Sequence, residues 1–193
     1  LFDDWINLAA NDNDEPNAMV LSTTNPTTHQ PSSRMILLKQ HRDNHFVFFT
    51  NYQSRKADEI GANPQSALLF WWPNINKQIR IEGIIEAISH NESDIYFRSR
   101  PHPVQLSTYM FPQSQPIPNY TSLLEKHQAL SSQTDQPLQR PSHWGGYALN
   151  AYYFEFWQGG ENRLHQRICY EIEKSPQTNK PEKKSWRIYE IAP

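Results

Sequence analysis

The run Thr50-Asn51-Tyr52-Gln53-Ser54-Arg55-Lys56 ends a strand in hydroxyl and amide side chains and opens a helix on two adjacent cations. A cation at a helix N-terminus opposes the dipole by about 0.3–1 kcal/mol. An anion bound there would reverse that sign, receiving the free backbone N–H groups together with the side-chain charge. Two solvated basic residues on a surface helix are the plainer reading, and the run alone weighs the two equally. Arg34 opens the apolar stretch Met35-Ile36-Leu37-Leu38, where a buried arginine needs a partner. Lys39 follows five positions later, and in a regular strand an odd separation puts two side chains on opposite faces. The pair would then serve two different anions, unless Lys39 merely snorkels at a strand end.

A third group is Trp157-Gln158-Gly159-Gly160-Glu161-Asn162-Arg163-Leu164-His165-Gln166-Arg167. If extended, Arg163, His165 and Arg167 line one face, with Trp157 on the strand before. An imidazole between two guanidinium groups is biased towards its neutral, proton-accepting form, and the cluster suits an anionic substrate. A cationic strand edge that blocks edge pairing explains the same pattern. Gln113-Ser114-Gln115 offers donors to a phosphate, or is simply a loop. Metal and nucleophile chemistries fare worse. The eight histidines show neither HxH nor HExxH spacing, and no GxSxG elbow occurs, so no metal is expected.

The elements that must position these residues belong to one domain over 1–193, a length that can bury a substantial core. With 18 basic and 20 acidic residues there is no global field to attract nucleic acid or an anionic membrane. No apolar run approaches the roughly 20 residues of a membrane span. One cysteine, Cys169, excludes an intramolecular disulfide and fits a cytoplasmic location. Neither GxGxxG nor GxxxxGK[ST] is present, which removes the usual dinucleotide and P-loop sites.

Leu1, Trp5, Leu8 and Ala9 have helical spacing. Strands are expected at Ala18–Thr23, at Ser32–Gln40 (buried on both faces), and at His45–Thr50. Ser54 caps a helix over Arg55–Ala62. Ser66–Trp72 and Gln78–Ala87 are strands joined through Pro73-Asn74. Ser89-His90-Asn91-Glu92 has capping-box spacing and opens a helix to about Arg98. Pro101–Pro118, with five prolines and no period, reads as a long loop. A helix follows from Asn119 to Leu130, then a polar linker over Ser131–Pro141. Trp144–Leu149, Tyr152–Gln158, Gln166–Glu173 and Ser185–Ile191 complete the strands, and Ser175–Lys184 forms a solvated hairpin loop. About eight strands and three or four helices, joined by short turns, make a mainly β fold: an antiparallel barrel with peripheral helices.

Taken together the chain resembles the FMN-dependent pyridoxamine 5'-phosphate oxidases. The resemblance is carried by Pro31–Lys39, Phe49–Tyr52 with Ser54-Arg55-Lys56, Gln78–Gly83 and Tyr96-Phe97 with Ser99-Arg100-Pro101. It continues through Gln113-Ser114, His143–Tyr147, Glu155–Gln158 with Arg163-Leu164-His165 and Arg167, and Trp186-Arg187 with Ala192-Pro193. It implies an FMN-binding split β-barrel, and a homodimer with FMN at the subunit interface, whose dimerisation and active-site region lies at about 144–193. FMN would be held by Arg34, Met35, Ile36, Leu37, Phe49, Thr50, Arg55, Lys56, Gln78, Gln113, Ser114, Trp157 and Arg167. Lys39, Tyr96, Arg100, Arg163, Leu164 and His165 would bind the substrate, with Arg163 and His165 catalytic. The reaction implied is oxidation of pyridoxamine or pyridoxine 5'-phosphate to pyridoxal 5'-phosphate, with O2 as acceptor and H2O2 released.

One stretch departs from the family. Where it carries a serine for the substrate phosphate, this chain has Val104, and His102 and Ser107-Thr108-Tyr109 replace an arginine and a Gly-Ala-Trp segment. A lost hydrogen bond to a charged group weakens binding about ten- to a hundredfold. That leaves open a sister flavin oxidase of the phenazine-biosynthesis type, or a non-catalytic binder of FMN or pyridoxal phosphate.

Overall fold

The computed structural model describes residues 1–11, 15–110, 112–131, 138–173 and 185–193. The expected hairpin loop at 175–184 and most of the expected linker at 131–141 lie outside them.

Among the described residues nine antiparallel strands form one curled sheet. They are β1 (Ala18–Thr24), β2 (Pro31–Leu37), β3 (Gln40–Arg42), β4 (His45–Asn51), β5 (Gln65–Trp72), β6 (Lys77–Ala87), β7 (Trp144–Gln158), β8 (Gln166–Ile172) and β9 (Trp186–Glu190). The order is β2-β1-β5-β6-β7-β4-β3, with β8 on β7 and β9 on β8. The split arises at β7. Its first half pairs with β4 through Asn51↔Trp144 to His45↔Asn150, and its second half pairs with β8 through Tyr153↔Glu171 to Gln158↔Gln166. β6 follows both halves. Two strands were expected where β7 runs unbroken. Across the expected break a bulge opposite Glu82/Gly83 absorbs Tyr152, keeping the ladder while bending the strand. Gly83 has no substitute at that bend, because a Cβ there would lie 2.5 Å from the Asn150 carbonyl oxygen.

Alternation fills the interior. Met19 and Leu21 from β1, Phe46 and Phe48 from β4, Leu68, Phe70 and Trp72 from β5, Ile79 and Ile81 from β6, and Leu149 from β7 are buried in one cluster. Each such side chain contributes about 1.5–3 kcal/mol. Helix α1 (Phe2–Ala10) stoppers one end: Phe2 sits edge-on to Phe46 and Phe70 at 5.0 and 5.4 Å.

Four further helices among the described residues lie outside the sheet: α2 (Arg55–Ala62), α3 (His90–Ser99), α4 (His102–Met110) and α5 (Tyr120–Ser131). The capping box of α3 forms as read, Ser89 Oγ accepting from Glu92 N–H and the Glu92 carboxylate from Ser89 N–H. Ser54 occupies the N-cap of α2, but its hydroxyl does not cap the helix: it donates to the Asn51 carbonyl at 2.7 Å and accepts from Lys56 Nζ. Two expectations fail outright. The supposed loop after Pro101 contains α4, and β2 is a half-exposed edge strand rather than one buried on both faces.

Candidate active site

Between β2, the end of β4, the start of α2, and α3 with α4 lies a cleft of about 940 Å³. One end is built on Glu59 of α2, which is 2% exposed. Its carboxylate accepts from Thr23 Oγ1 (2.5 Å), Ser32 Oγ (2.6 Å), Arg34 NH2 (3.2 Å) and Arg55 Nε (2.9 Å). Burial pushes its pKa up, and the bonds from Ser32, Thr23, Arg55 and Arg34 more than offset this, holding it at about 2. Both terminal nitrogens of Arg34 are engaged, NH1 with the Leu21 carbonyl and Thr23, NH2 with Ser32 and Glu59.

Lys56 differs. It is 8% exposed and donates only to neutral groups: Thr50 Oγ1 (3.0 Å), Ser54 Oγ (3.2 Å) and Gln113 Oε1 (3.1 Å). Among the described residues no carboxylate pairs with it. Burial, and then the Arg34 charge, lower its pKa to about 8. Arg34, Arg55 and Lys56 against Glu59 leave two positive charges uncompensated, matching a phosphate monoester dianion. The adjacent-cation signal therefore resolves into two different things. Arg55 is the i,i+4 partner of Glu59, and Lys56 is the buried cation that lacks an anion.

Lys39, Tyr96 and Arg100 line the same cleft. Tyr96 stacks on Phe49 at 3.8 Å, and Phe49 on Trp144 at 5.5 Å. Arg100 lies 4.6 Å over the Trp144 ring and donates to Thr108 Oγ1 at 2.8 Å, while burial lowers its pKa. Lys39 reaches the same cleft as Arg34, against the odd-spacing expectation. β2 ends at Leu37, so strand parity no longer governs position 39. Met35, Ile36, Leu37, Thr50, Gln113 and Ser114 also line the cleft.

The remaining expected residues lie elsewhere. Gln78 and Trp157 line a second cavity of about 640 Å³ with Trp71 and Met35, and Met35 borders both cavities. Arg163, Leu164, His165 and Arg167 line neither. The extended 163–167 face does not form. Glu161–Arg163 is a 3-10 turn in which Asn162 and Arg163 have φ of 53° and 62°. Gly160 closes that turn, where a Cβ would meet the Leu164 carbonyl oxygen at 2.2 Å. Its N–H donates to His165 Nδ1 at 3.2 Å, so a neutral His165 ring carries its hydrogen on Nε2 and presents a donor, not the acceptor expected from spacing. The ring lies 4.6 Å from Trp157. Arg167 turns away to Glu155, buried between it and Arg80.

Residues 9–131 match the model of the family described as pyridoxamine 5'-phosphate oxidase. Residues 144–193 match the pyridoxine 5'-phosphate oxidase C-terminal dimerisation region. The chain belongs to the pyridoxamine 5'-phosphate oxidase family. It is 41% identical over 179 residues to the pyridoxine/pyridoxamine 5'-phosphate oxidase of Polynucleobacter asymbioticus, covering 93% of this chain and 80% of that one. It is 44% identical over 167 residues to the protein of the same name from Thermosynechococcus vestitus, covering 86% and 79%. Among solved structures, PhzG from Burkholderia lata 383, in complex with tetrahydrophenazine-1-carboxylic acid, superimposes with a TM-score of 0.87 at 26% identity, covering 100% of this chain and 90% of that one. A pyridoxamine 5'-phosphate oxidase-related, FMN binding protein from Nostoc punctiforme shares the fold, at TM-score 0.78 and 16% identity, covering 100% and 96%.

Sequence reading passed over several groups that shape this family member's cleft. Glu59 had a signal in its i,i+4 spacing from Arg55. Trp144, Ser107 and Thr108 appeared only as parts of the matching or departing segments, with no sign that they line the cleft, since their place depends on β7 and α4 meeting across it. Among the described residues no cluster of three His, Cys, Asp or Glu is placed to hold a metal, and no helix is long and apolar enough to cross a membrane.

Proposed function

We propose that this oxidoreductase, whose cofactor is FMN, converts pyridoxine or pyridoxamine 5'-phosphate to pyridoxal 5'-phosphate, using O2 and releasing H2O2. The observation that carries the reading is the buried, anion-less Lys56 in a doubly positive pocket, sharing one cleft with a second cationic end at Lys39 and Arg100. Two phosphate monoesters, one on the cofactor and one on the substrate, fit two such ends.

Arg34, Thr50, Arg55, Lys56, Gln113 and Ser114 would hold the FMN phosphate and its chain, with Met35, Ile36, Leu37 and Phe49 beside them. Lys39, Tyr96 and Arg100 would hold the substrate phosphate. Gln78, Trp157 and Arg167 would surround the flavin, and Arg163, Leu164 and His165 would orient the substrate ring, His165 through its Nε2 hydrogen. Because this second group lies apart from the cleft of its own chain, a second copy would supply it, placing FMN at the interface of a homodimer. The dimerisation region at 144–193 supports that assembly. We read 1–193 as one domain carrying both parts. The redox chemistry, hydride acceptance from the substrate's C4' carbon and electron transfer to O2, is what the flavin supplies when bound. The chain's share is to hold the two phosphates at fixed separation and to place donors over the ring.

Anaerobic addition of pyridoxine 5'-phosphate to the yellow protein is expected to bleach the flavin. The likeness to PhzG supplies the competing outcome: bleaching by tetrahydrophenazine-1-carboxylic acid and not by pyridoxine 5'-phosphate would replace this reading. Colour that persists with every donor would mean a non-catalytic binder. Arg163→Ala and His165→Ala are each expected to slow flavin reduction about ten- to a hundredfold. FMN content should stay the same, and loss of FMN from either variant would overturn these roles. Val104→Ser adds a hydroxyl to the substrate-phosphate end, and the expected result is a Michaelis constant lower by up to about tenfold. An unchanged constant would show that Val104 does not face the phosphate.

A further inference from the structure

α4 forms part of the cleft wall. Val104, Ser107 and Thr108 all line the cleft from it, at i, i+3 and i+4 on one helical face. Val104 offers no donor, and the Thr108 hydroxyl is committed, donating to the Val104 carbonyl at 3.1 Å and accepting from Arg100. The Ser107 hydroxyl is placed differently. It bonds back to the Pro103 carbonyl at 2.9 Å, and His127 Nε2 of α5 lies 3.0 Å from Ser107 Oγ and 3.2 Å from that same carbonyl. A carbonyl oxygen only accepts, so Nε2 carries the hydrogen and donates into this three-way contact.

We propose that Ser107, set by His127, is the donor of this chain to the phosphate monoester of the substrate, in place of the hydroxyl missing at Val104. This rests on the functional reading above. The Ser107 hydrogen is transferable because the Pro103 carbonyl has a second donor at hand. When Ser107 turns its O–H to an anion, His127 Nε2–H remains as a donor to that solvent-accessible carbonyl, so the turn leaves no acceptor without a partner. Arg100 already reaches α4 at Thr108, the next residue, and brings positive charge to the same end of the cleft. Ser107 is therefore a specificity-determining contact and His127 a positioning residue.

The test is binding of the product, pyridoxal 5'-phosphate, to the FMN-loaded protein, measured by calorimetry without turnover. Ser107→Ala is expected to raise the dissociation constant about tenfold with FMN content unchanged. The double variant Val104→Ser/Ser107→Ala is expected to return to within about twofold of the unmodified protein. Product binding to Ser107→Ala as tight as to the unmodified protein would overturn the proposal. So would weakened binding that Val104→Ser fails to restore, since the loss would then stem from a distorted α4. If the unmodified protein binds no pyridoxal 5'-phosphate and pyridoxine 5'-phosphate leaves its flavin oxidised, the functional reading falls and takes this inference with it.

Discussion

Lys56→Met is expected to weaken FMN binding about a hundredfold while leaving the FMN-free protein at least as stable as before. The side chain is buried, bonded to three neutral oxygens and faced by the Arg34 charge, so its ammonium group is unfavourable until an anion arrives. Methionine keeps most of the volume and removes that charge. A charge-assisted bond to phosphate is worth about 1.5–3 kcal/mol, and loss of the accompanying charge attraction takes the effect to the upper end of that range.

With Lys56 placed against the FMN phosphate as proposed, cofactor affinity acquires a pH dependence whose sign is fixed. In the free protein Lys56 loses its proton as pH rises through about 8, and the phosphate binds the protonated form. Affinity should therefore fall above pH 8, approaching about tenfold per pH unit until the pKa of the bound state is reached. Below about pH 6 it should fall again as the phosphate takes up its second proton. Fluorescence titration of the FMN-free protein at pH 7, 8 and 9 checks this. The Lys56→Met profile should be flat between 7 and 9, and parallel profiles for the two proteins would show that Lys56 does not meet the phosphate.

What the sequence made legible was local. The Ser89/Glu92 box, the start of α2 after Ser54 and the alternation of β4 and β5 depend on neighbours within four residues and formed where read, although the Ser54 hydroxyl does not make the expected cap. What it hid was tertiary. Pro101 immediately precedes α4 and Pro103 lies in its first turn, positions a helix tolerates, and the helix lacks an apolar period because it is held by other means. Gln105 Nε2 donates to the Arg100 carbonyl at 2.8 Å, and His143 Nε2 to the Thr108 carbonyl at 3.0 Å. The alternation of Arg163, His165 and Arg167 misled because period two has meaning only in extended backbone. The Gly160–Asn162 turn, with its left-handed asparagine, broke the period before it began. At the cleft, the cations were legible by type. Which of them would be paired depended on Glu59, and so on α2 lying against β1 and β2.

Glu59→Ala accordingly carries the largest expected effect on stability. Glu59 is buried, and four donors converge on it from β1, β2 and its own helix. Removing one partner of a buried pair costs about 3–5 kcal/mol, because the charge left behind keeps its desolvation penalty. Arg55 is largely exposed and recovers water, so the loss should come mainly through Arg34, Thr23 and Ser32, at about 3 kcal/mol, or roughly a 6–12 °C fall in Tm for a chain of this size. The carboxyl pKa is held at about 2 against an ordinary 4.5, so its stabilisation is complete above pH 4.5 and fades as pH falls towards 2. Urea unfolding of both proteins at pH 7, 4 and 3 should show the gap between them narrowing as the acid end is approached. FMN, by giving Arg34 an alternative anion, should raise the Tm of the variant more than that of the parent. A gap that is constant with pH, or an FMN-induced rise equal in the two proteins, would mean that Glu59 does not divide the cations of this cleft between the fold and the cofactor.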